Sequence, residues 1–291
     1  MEQTTLNKLA VLRRVVLGLY AATVAAYAAA VALILVDLGA AVWVVNITTV
    51  LYLLVVRTLD KRYDRAFARS SLTMSCQRRL SLFQVEDKGG LTREDIQAGG
   101  LFPVRAEGKS LVCGMAAEGQ AEELGVRICE LTAYCEMAGE KRKLGLLSGL
   151  WMEARLAGDA GMRLTLVQHG ALDPDTAAPF YGGQGLSRLP LLEEALRDGF
   201  TLYGDEAGAK GAARFARRCV PLALQAAKAG CKLMLSLRGD SIYVFLTGRS
   251  LVFRTPIRGR LTPEIAGWDR LPELPLLLDL AKETAPRKSA P

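Results

Sequence analysis

Apolar residues run almost without interruption from position 15 to position 56, and Asp37, Leu38 and Gly39 divide this stretch near its middle. About 20 apolar residues are needed to cross a hydrocarbon core of about 30 Å, so residues 15–36 and 40–56 are each suited to one crossing. A single unbroken helix would place Asp37 near mid-membrane, where a charge costs at least about 2.5 kcal/mol. The pattern therefore predicts a membrane hairpin that turns at Asp37.

Basic residues lie on both outer sides of the apolar stretch, and the turn between the two predicted spans contains none. Because Lys and Arg near span ends stay on the cytosolic side, we expect both termini to be cytosolic. The expected location is the bacterial cytoplasmic (inner) membrane, with the lipid bilayer as the first partner. A cleaved secretory signal ending near residues 28–30 is the alternative hypothesis, which the second apolar segment disfavours. The membrane-flanking basic residues are Lys8, Arg13, Arg14, Arg57, Lys61, Arg62, Arg65 and Arg69.

After the second span, the continuous apolar run gives way to apolar residues spaced four positions apart. Leu59, Tyr63 and Phe67 share one helical face, and basic residues occupy the opposite face. This pattern predicts a basic amphipathic stalk helix. The predicted domain limits are a cytosolic N-terminus at 1–14, a two-helix transmembrane hairpin at 15–56, the stalk at 57–85, a cytosolic domain at 86–284 and a disordered tail at 285–291.

Strand signals in the remaining chain fall into two groups. Alternating or continuously apolar segments bounded by glycine predict strands, and short links such as residues 238–240 predict antiparallel neighbours. Residues 207–229 and 274–283 have helical spacing, whereas 169–192 is rich in turn-forming residues and predicts a long loop. The fold class is thus α+β, an N-terminal transmembrane helical hairpin followed by a cytosolic, mainly antiparallel β-sheet domain with packed helices. The predicted strands are 111–116, 125–137, 144–154, 162–168, 200–203, 232–237, 241–246 and 250–255.

Charge is concentrated beside the predicted membrane hairpin. Residues 1–79 supply +6 of the formal net charge of +7, so the soluble domain is nearly neutral and no nucleic-acid partner is expected. The six cysteines are predicted to be free thiols on the reducing cytosolic side, with Cys129 and Cys135 as core residues on one strand face. His169 is the single histidine and no C-x-x-C occurs, so we expect no metal site and no cofactor.

Four stretches of the soluble domain resemble a known bacterial membrane-protein family. They are GVRICELTA from Gly125, GLLSGLWM from Gly145, FTLYGDEAGA from Phe200 and LMLSLRGDSIYV from Leu233. In this pattern the chain resembles the family known as domain of unknown function 3137. The resemblance implies two N-terminal spans and a cytosolic domain with a glycine-rich strand series that ends in a helix and a hairpin. It implies no activity, because the family has none assigned.

Few side chains in the soluble domain form a pattern that indicates chemistry. The chain lacks a phosphate-binding loop, a G-x-S-x-G nucleophile elbow and an H-E-x-x-H helix, so no catalytic residue is assigned. Asp205 and Glu206 precede a helix and are predicted to cap it. Arg214, Arg217 and Arg218 on that helix are candidate interaction residues for an anionic partner, with a solvated helix face as the alternative.

These observations favour a membrane-anchored interaction or scaffold module, which binds a protein partner or a second copy of the chain, over an enzyme. A ligand- or lipid-responsive sensor domain is the alternative hypothesis, and a concave pocket lined by basic residues would favour it. A membrane-bound hydrolase is the third hypothesis. It requires Ser148, His169 and an acidic group within hydrogen-bond reach of one another.

Overall fold

A computed structural model describes residues 3–106, 110–137, 143–252 and 269–285. The chain divides into two compact units. One comprises Met1–Met74 and Val252–Asp269, and the other comprises Ser75–Leu251 and Arg270–Pro291. The fold is α+β, with long apolar helices in the first unit and an antiparallel sheet in the second.

The first unit contains a pair of long helices, α1 (Gln3–Leu33) and α2 (Leu38–Leu51). The chain leaves the helical conformation between them, and Asp37 caps α2 by accepting a hydrogen bond from the Ala40 amide at 3.1 Å. The predicted break at Asp37 is therefore confirmed. The hydroxyls of Tyr27 and Thr49 hydrogen-bond across the two helices at 2.9 Å, so polar groups within the apolar stretch satisfy each other.

Among the described helices, two are long and apolar enough to cross a membrane, and they cover Asn7–Leu33 and Leu38–Gln77. Their apolar side chains face outward, as at Val24, Trp43 and Leu54. Exposed apolar surface of this extent is typical of membrane contact. The chain is accordingly membrane-associated.

The helix that follows α2 begins with a π-helical turn (Tyr52–Val56) and continues as α3 (Arg57–Gln77). Tyr63 and Phe67 are buried in a cluster with Leu9 and Val16 of α1, which confirms the predicted amphipathic character of α3. The helix does not extend to residue 85 as predicted. The chain turns at residues 78–81 and then forms a strand, because the alternating residues of Leu82–Glu86 pair with the edge of the sheet.

Within the described residues, nine strands form one sheet in which every neighbouring pair is antiparallel. The strands are β1 (Leu82–Glu86), β2 (Leu111–Ala121), β3 (Leu124–Met137), β4 (Lys143–Arg155), β5 (Leu164–Gln168), β6 (Ser187–Leu189), β7 (Phe200–Gly204), β8 (Lys232–Arg238) and β9 (Ser241–Thr247). Their order is β1-β2-β3-β4-β9-β8-β5-β7-β6. Strands β2, β3 and β4 form a meander, whereas β5, the fourth strand of the first predicted group, pairs with β8 and β7 instead of β4. The predicted tight β8–β9 hairpin is confirmed.

Helices cover both faces of this sheet. They are α4 (Arg93–Gly99), α5 (Pro174–Gly183), α6 (Glu194–Arg197), α7 (Glu206–Lys228) and α8 (Leu274–Thr284). Ile96 of α4 and Tyr181 of α5 pack on the face that carries Trp151 and Phe245. On the opposite face, α7 approaches so closely that a Cβ added to Gly208 would lie 2.9 Å from the Leu164 side chain.

Three parts of the predicted soluble domain differ from the structure. The predicted loop at 169–192 contains α5 and β6, because Pro174 occupies the first turn of α5, where proline fits a helix. The short helices α4 and α6 were not predicted. The predicted strand at 250–255 begins with three residues in irregular conformation, and its remainder lies outside the described residues, as does the tail after Ala285.

Candidate ligand-binding cleft

A row of polar residues crosses the sheet on the face covered by α4 and α5. Residues directly opposite each other in a ladder share one face, so the pairing register identifies the row. The neighbouring row on the same face is apolar at its centre, where Trp151, Phe245, Met234 and Val167 lie side by side. Taken in order across the described strands, the polar row is Gln84, Glu118, Arg127, Glu153, Tyr243, Ser236, Thr165, Tyr203 and Arg188.

Arg127 and Glu153 form the charged centre of this row. The Arg127 guanidinium lies 2.9 Å from the Asp95 carboxylate and 3.4 Å from that of Glu153, and it stands 5.8 Å above the Trp151 ring. Glu153 is only 4% exposed. Burial raises the pKa of Glu153, and the nearby Arg127 and Arg155 offset this effect only in part. The charge of Glu153 is therefore held in the sheet at a cost in free energy.

Helix α4 fixes the carboxylate above Arg127. Asp95 is the N3 residue of the α4 capping box, in which its amide donates to the Thr92 hydroxyl at 3.2 Å and its carboxylate accepts from the Thr92 amide at 2.7 Å. The hydrogen bond from Arg127 lowers the pKa of Asp95 to about 2. The helix ends at Gly100, which has a positive φ of 57° and leaves no room for a side chain beside Arg238.

A cleft of about 740 Å³ opens over the β1–β4 end of the polar row. Its floor includes charges of both signs, with Glu118 and Glu153 beside Arg127 and Arg155. Its wall is the segment at residues 89–91, which lies against the sheet because Gly89 has no side chain. A Cβ at Gly89 would lie 2.5 Å from the Cys129 sulfur.

Two thiols lie beneath that wall. Cys113 on β2 and Cys129 on β3 lie on one face of the sheet, and their thiols donate to the Leu91 carbonyl at 3.6 Å and to the Glu130 carbonyl at 3.3 Å. The neighbouring Cys129 thiol lowers the pKa of Cys113 to about 7, whereas Cys113 and burial together raise the pKa of Cys129. All six cysteines of the chain lie within the described residues and are free thiols.

The residues predicted to flank the membrane occupy α1 and α3. Seven of these eight residues are exposed, and Arg13 is half-buried. The exposed basic side chains lie before the first apolar span and after the second, at the two ends of the predicted hairpin that are expected to face the cytosol. None of the eight lines the cleft described above.

The candidate interaction residues on α7 lie outside the cleft. Arg214 and Arg217 are exposed, and Arg217 lies 3.7 Å from Glu193. Arg218 is half-buried, and its ion pair with Glu283 on α8 measures 2.9 Å. These arginines border a second groove of about 620 Å³ between α7 and α8, which Asp279 and Glu283 also line. The positive charge of this face is therefore partly neutralised.

The structure does not bring together the residues that the hydrolase hypothesis requires. The Ser148 hydroxyl hydrogen-bonds to that of Thr132 at 3.0 Å, and the His169 Nε2 atom pairs with the Thr201 hydroxyl at 3.1 Å. No group of three or more His, Cys, Asp or Glu side chains in the described part of the chain is placed to hold a metal ion.

The predicted cap of α7 is confirmed at Asp205. Its carboxylate accepts from the Gly208 amide at 2.7 Å and from the Arg163 amide at 3.2 Å, and it forms an ion pair with the Arg163 side chain. Burial raises the pKa of this carboxyl, but the hydrogen bonds from Gly208 and Arg163 outweigh it and leave the pKa below its ordinary value.

Sequence reasoning missed Arg127, Glu153 and Asp95 as members of one site. A signal was present for two of them, since Arg127 and Glu153 are charged residues that directly adjoin apolar residues within predicted strands. Charged residues are almost never buried without partners. Asp95 gave no comparable signal, because it lies on a short helix that the apolar pattern did not predict.

Comparisons with known proteins assign the chain to no family. No protein-family model matches the chain, and no curated protein matches it. The crystal structure of the mycobacterial trehalose monomycolate transport factor A, TtfA, is similar with a TM-score of 0.41 and 14% sequence identity, over 78% of this chain and 99% of that chain. A similarity at this level carries no argument about function.

Proposed function

We propose that this chain is a two-span protein of the bacterial cytoplasmic membrane, whose cytosolic sheet domain binds a small polar ligand in the cleft over β1–β4. The observation that carries this proposal is the charge cluster in which the half-buried Arg127 and the buried Glu153 line the cleft and Asp95 pairs with Arg127. One-sided placement of the flanking basic residues supports the cytosolic orientation of both termini. Membership of the domain of unknown function 3137 family is part of the same proposal and adds no activity.

A purely structural role is a poor explanation for this cluster. Well-packed apolar residues stabilise a core as well as a buried ion pair does, or better. The row next to Arg127 and Glu153 is apolar at its centre, so this sheet already stabilises itself with large side chains such as Trp151 and Phe245. Titratable groups with perturbed pKa values in a cleft are typical of functional sites.

The lining of the cleft indicates the chemistry of the ligand. Its volume of about 740 Å³ lies within the range of about 300–1,000 Å³ that is usual for small-molecule sites. Arg127 and Arg155 offer donors, whereas Glu118 and Glu153 offer acceptors. A ligand with both donor and acceptor groups is complementary to this floor, and a polyanion is not. The floor thus differs from the basic pocket that would recognise a phosphorylated headgroup.

Native mass spectrometry of the full chain, extracted gently in detergent, tests this proposal. The expected result is a bound small molecule whose occupancy falls at least tenfold in Glu153→Gln and in Arg155→Ala. Arg188→Ala is the matched control, because Arg188 lies in the same polar row but is exposed at the far edge of the sheet, outside the cleft. Unchanged occupancy in Glu153→Gln and Arg155→Ala would exclude the cleft as the binding site.

A scaffold function is the second proposal, and the groove between α7 and α8 favours it. Arg214 and Arg217 border this groove beside the apolar residues Pro221 and Leu276, a mixture that suits an acidic protein segment. We expect a stoichiometric partner to co-purify with the wild-type chain and to be lost from the Arg214→Ala/Arg217→Ala double variant. Lys228→Ala, at the other end of α7, is the control. Recovery that does not change in the double variant removes this proposal.

A further inference from the structure

A β-bulge brings two cysteines on neighbouring strands towards each other. Ala116 lies opposite Cys129, and Cys113 lies opposite Leu131, so β2 advances by one residue more than β3 between these pairs. An extra residue of this kind bends the strand and redirects its side chains. Cys113 therefore lies diagonally across the ladder from Cys129, and both thiols lie under the segment at residues 89–91, Cys113 at the Leu91 carbonyl and Cys129 at Gly89.

The two cysteines have unequal surroundings, which suit unequal roles. Cys113 is half-exposed, and its thiol donates to the Leu91 carbonyl at 3.6 Å. The Cys129 thiol lowers the pKa of Cys113 to about 7, so a large fraction of Cys113 is thiolate near neutral pH. Cys129 is buried directly beneath Gly89. The arrangement is that of a reactive cysteine with a resolving partner.

The other four cysteines lack this arrangement. Burial raises the pKa of Cys76 and of Cys135 to about 12, and burial also raises the pKa of Cys219 and of Cys231. All four are buried. An oxidant that reaches the domain thus meets Cys113 first.

We propose that Cys113 and Cys129 are a peroxide-modified dithiol that closes reversibly to a disulfide. The Cys113 thiolate attacks one oxygen of hydrogen peroxide, the O–O bond breaks, and hydroxide leaves as Cys113 becomes a sulfenic acid. The Cys129 thiol then attacks the Cys113 sulfur, the S–O bond breaks, and the hydroxyl group leaves with the Cys129 proton as water. Two electrons pass from the thiols to the peroxide, and a small-molecule thiol returns them.

This modification does not depend on the proposed ligand, but its position links it to the cleft. The Gly89 amide donates to the Gly114 carbonyl at 2.7 Å, and Gly114 lies within the bulge between Cys113 and Ala116. A bond between the two sulfurs therefore forms directly under the segment that walls the cleft. Oxidation is placed to change that wall.

Peptide mapping of the full chain in detergent tests the proposal. The reduced protein is treated with a small excess of hydrogen peroxide, alkylated and cleaved with trypsin without reduction. Cleavage after Lys109, Arg127 and Lys141 places Cys113 in peptide 110–127 and Cys129 in peptide 128–141. We expect these two peptides to be linked, with a mass about 2 Da below their sum, and the link to disappear after treatment with dithiothreitol.

Cys135 lies in the same peptide as Cys129, so matched variants identify the partner. The link should persist in Cys135→Ser and be lost in Cys113→Ser and Cys129→Ser. A non-reducing gel of the wild-type protein should show a monomer, which separates this internal bond from a bond between chains. A link that persists in Cys129→Ser, or a Cys113 that remains fully alkylatable after peroxide, would overturn the proposal.

A second measurement begins with the wild-type chain. The rate of Cys113 alkylation by iodoacetamide in the wild-type chain, followed from pH 5.5 to pH 9 on peptide 110–127, should rise with a midpoint of about 7. In Cys129→Ala the midpoint should move upward, because no donor remains at this position to stabilise the Cys113 thiolate. A wild-type midpoint at or above 8.5, the value of an unperturbed thiol, would contradict the assigned reactivity.

Discussion

Arg127 forms ion pairs with both Asp95 and Glu153, so removing the positive charge and removing one negative charge should have unequal effects on stability. Removing the guanidinium leaves the buried Glu153 facing Asp95 across the same space, whereas removing the Glu153 charge leaves Arg127 paired with Asp95. We expect Arg127→Gln to cost about 3 kcal/mol and Glu153→Gln about 1 kcal/mol. At roughly 2–4 °C per kcal/mol, the melting temperature should fall by about 6–12 °C and about 2–4 °C.

Tryptophan fluorescence of the full chain in detergent micelles measures this difference, because Trp151 lies directly below Arg127. Arg188→Gln, at the exposed end of the same polar row, is the control and should shift the melting temperature by about 1 °C or less. Equal losses in Arg127→Gln and Glu153→Gln would show that the two carboxylates do not share the guanidinium.

The Asp95 carboxyl also predicts a dependence on pH. Its folded pKa of about 2 lies below the unfolded value of about 3.9. The stability that it contributes is therefore present above about pH 4 and is lost as pH falls towards 2. We expect Asp95→Asn to melt below wild type at pH 7 and the gap to close by pH 2, as followed by thermal unfolding at both pH values. A gap that is constant with pH would contradict the ion pair.

At the level of the element, the first turn of α7 depends on one carboxylate. Asp205 accepts hydrogen bonds from the Gly208 and Arg163 amides and pairs with the Arg163 side chain. Asp205→Ala should cost about 1–2 kcal/mol, since it removes an N-cap together with a charged partner. Glu206→Ala, one residue later and exposed, should cost less than about 0.5 kcal/mol.

Hydrogen exchange of the Gly208 amide gives the most local measurement of this cap. The rate should rise several-fold in Asp205→Ala and remain near the wild-type rate in Glu206→Ala, because only Asp205 bonds that amide. An equal rise in both variants would assign the effect to the helix dipole rather than to the cap.

Elements with a strong apolar period could be predicted from the sequence, and elements held by distant contacts could not. The strands β3, β4, β8 and β9 and the helix α7 repeat one pattern over their whole length. Helix α5 contains Pro179 and ends at Gly183, so its local sequence favours a turn. It is held by Tyr181, whose hydroxyl donates to the Leu101 carbonyl eighty residues away. No local pattern contains that contact.

The polar row could not be predicted for a related reason. In the sequence its members are only isolated polar residues within strands. They form a row because Arg127 pairs with Glu153 and Glu153 pairs with Tyr243 across three neighbouring strands. A shift of one residue in any pairing would separate them to opposite faces. Register depends on the packing of the whole sheet, so the candidate site required the structure.

At the scale of the whole molecule, the net positive charge lies beside the apolar helices rather than in the cleft. Residues 1–79 hold +6 of the net +7, and the cleft in the sheet domain carries both signs. A basic membrane flank fixes which side a short loop occupies, whereas a cleft with both signs discriminates among polar ligands. The flanking basic residues and the charges of the cleft act independently, so the proposed orientation can be tested without any ligand.

Accessibility of engineered thiols provides that test. Val36→Cys lies in the exposed turn between the spans, and Ala178→Cys lies on the exposed surface of α5. Both are made with Cys113→Ser, because the other five native cysteines are buried. In spheroplasts of a bacterial host, a membrane-impermeant maleimide should label Val36→Cys at once and Ala178→Cys only after lysis. Labelling of Ala178→Cys without lysis would place the sheet domain outside and reverse the proposed orientation, while the Cys113→Ser parent should remain unlabelled before and after lysis.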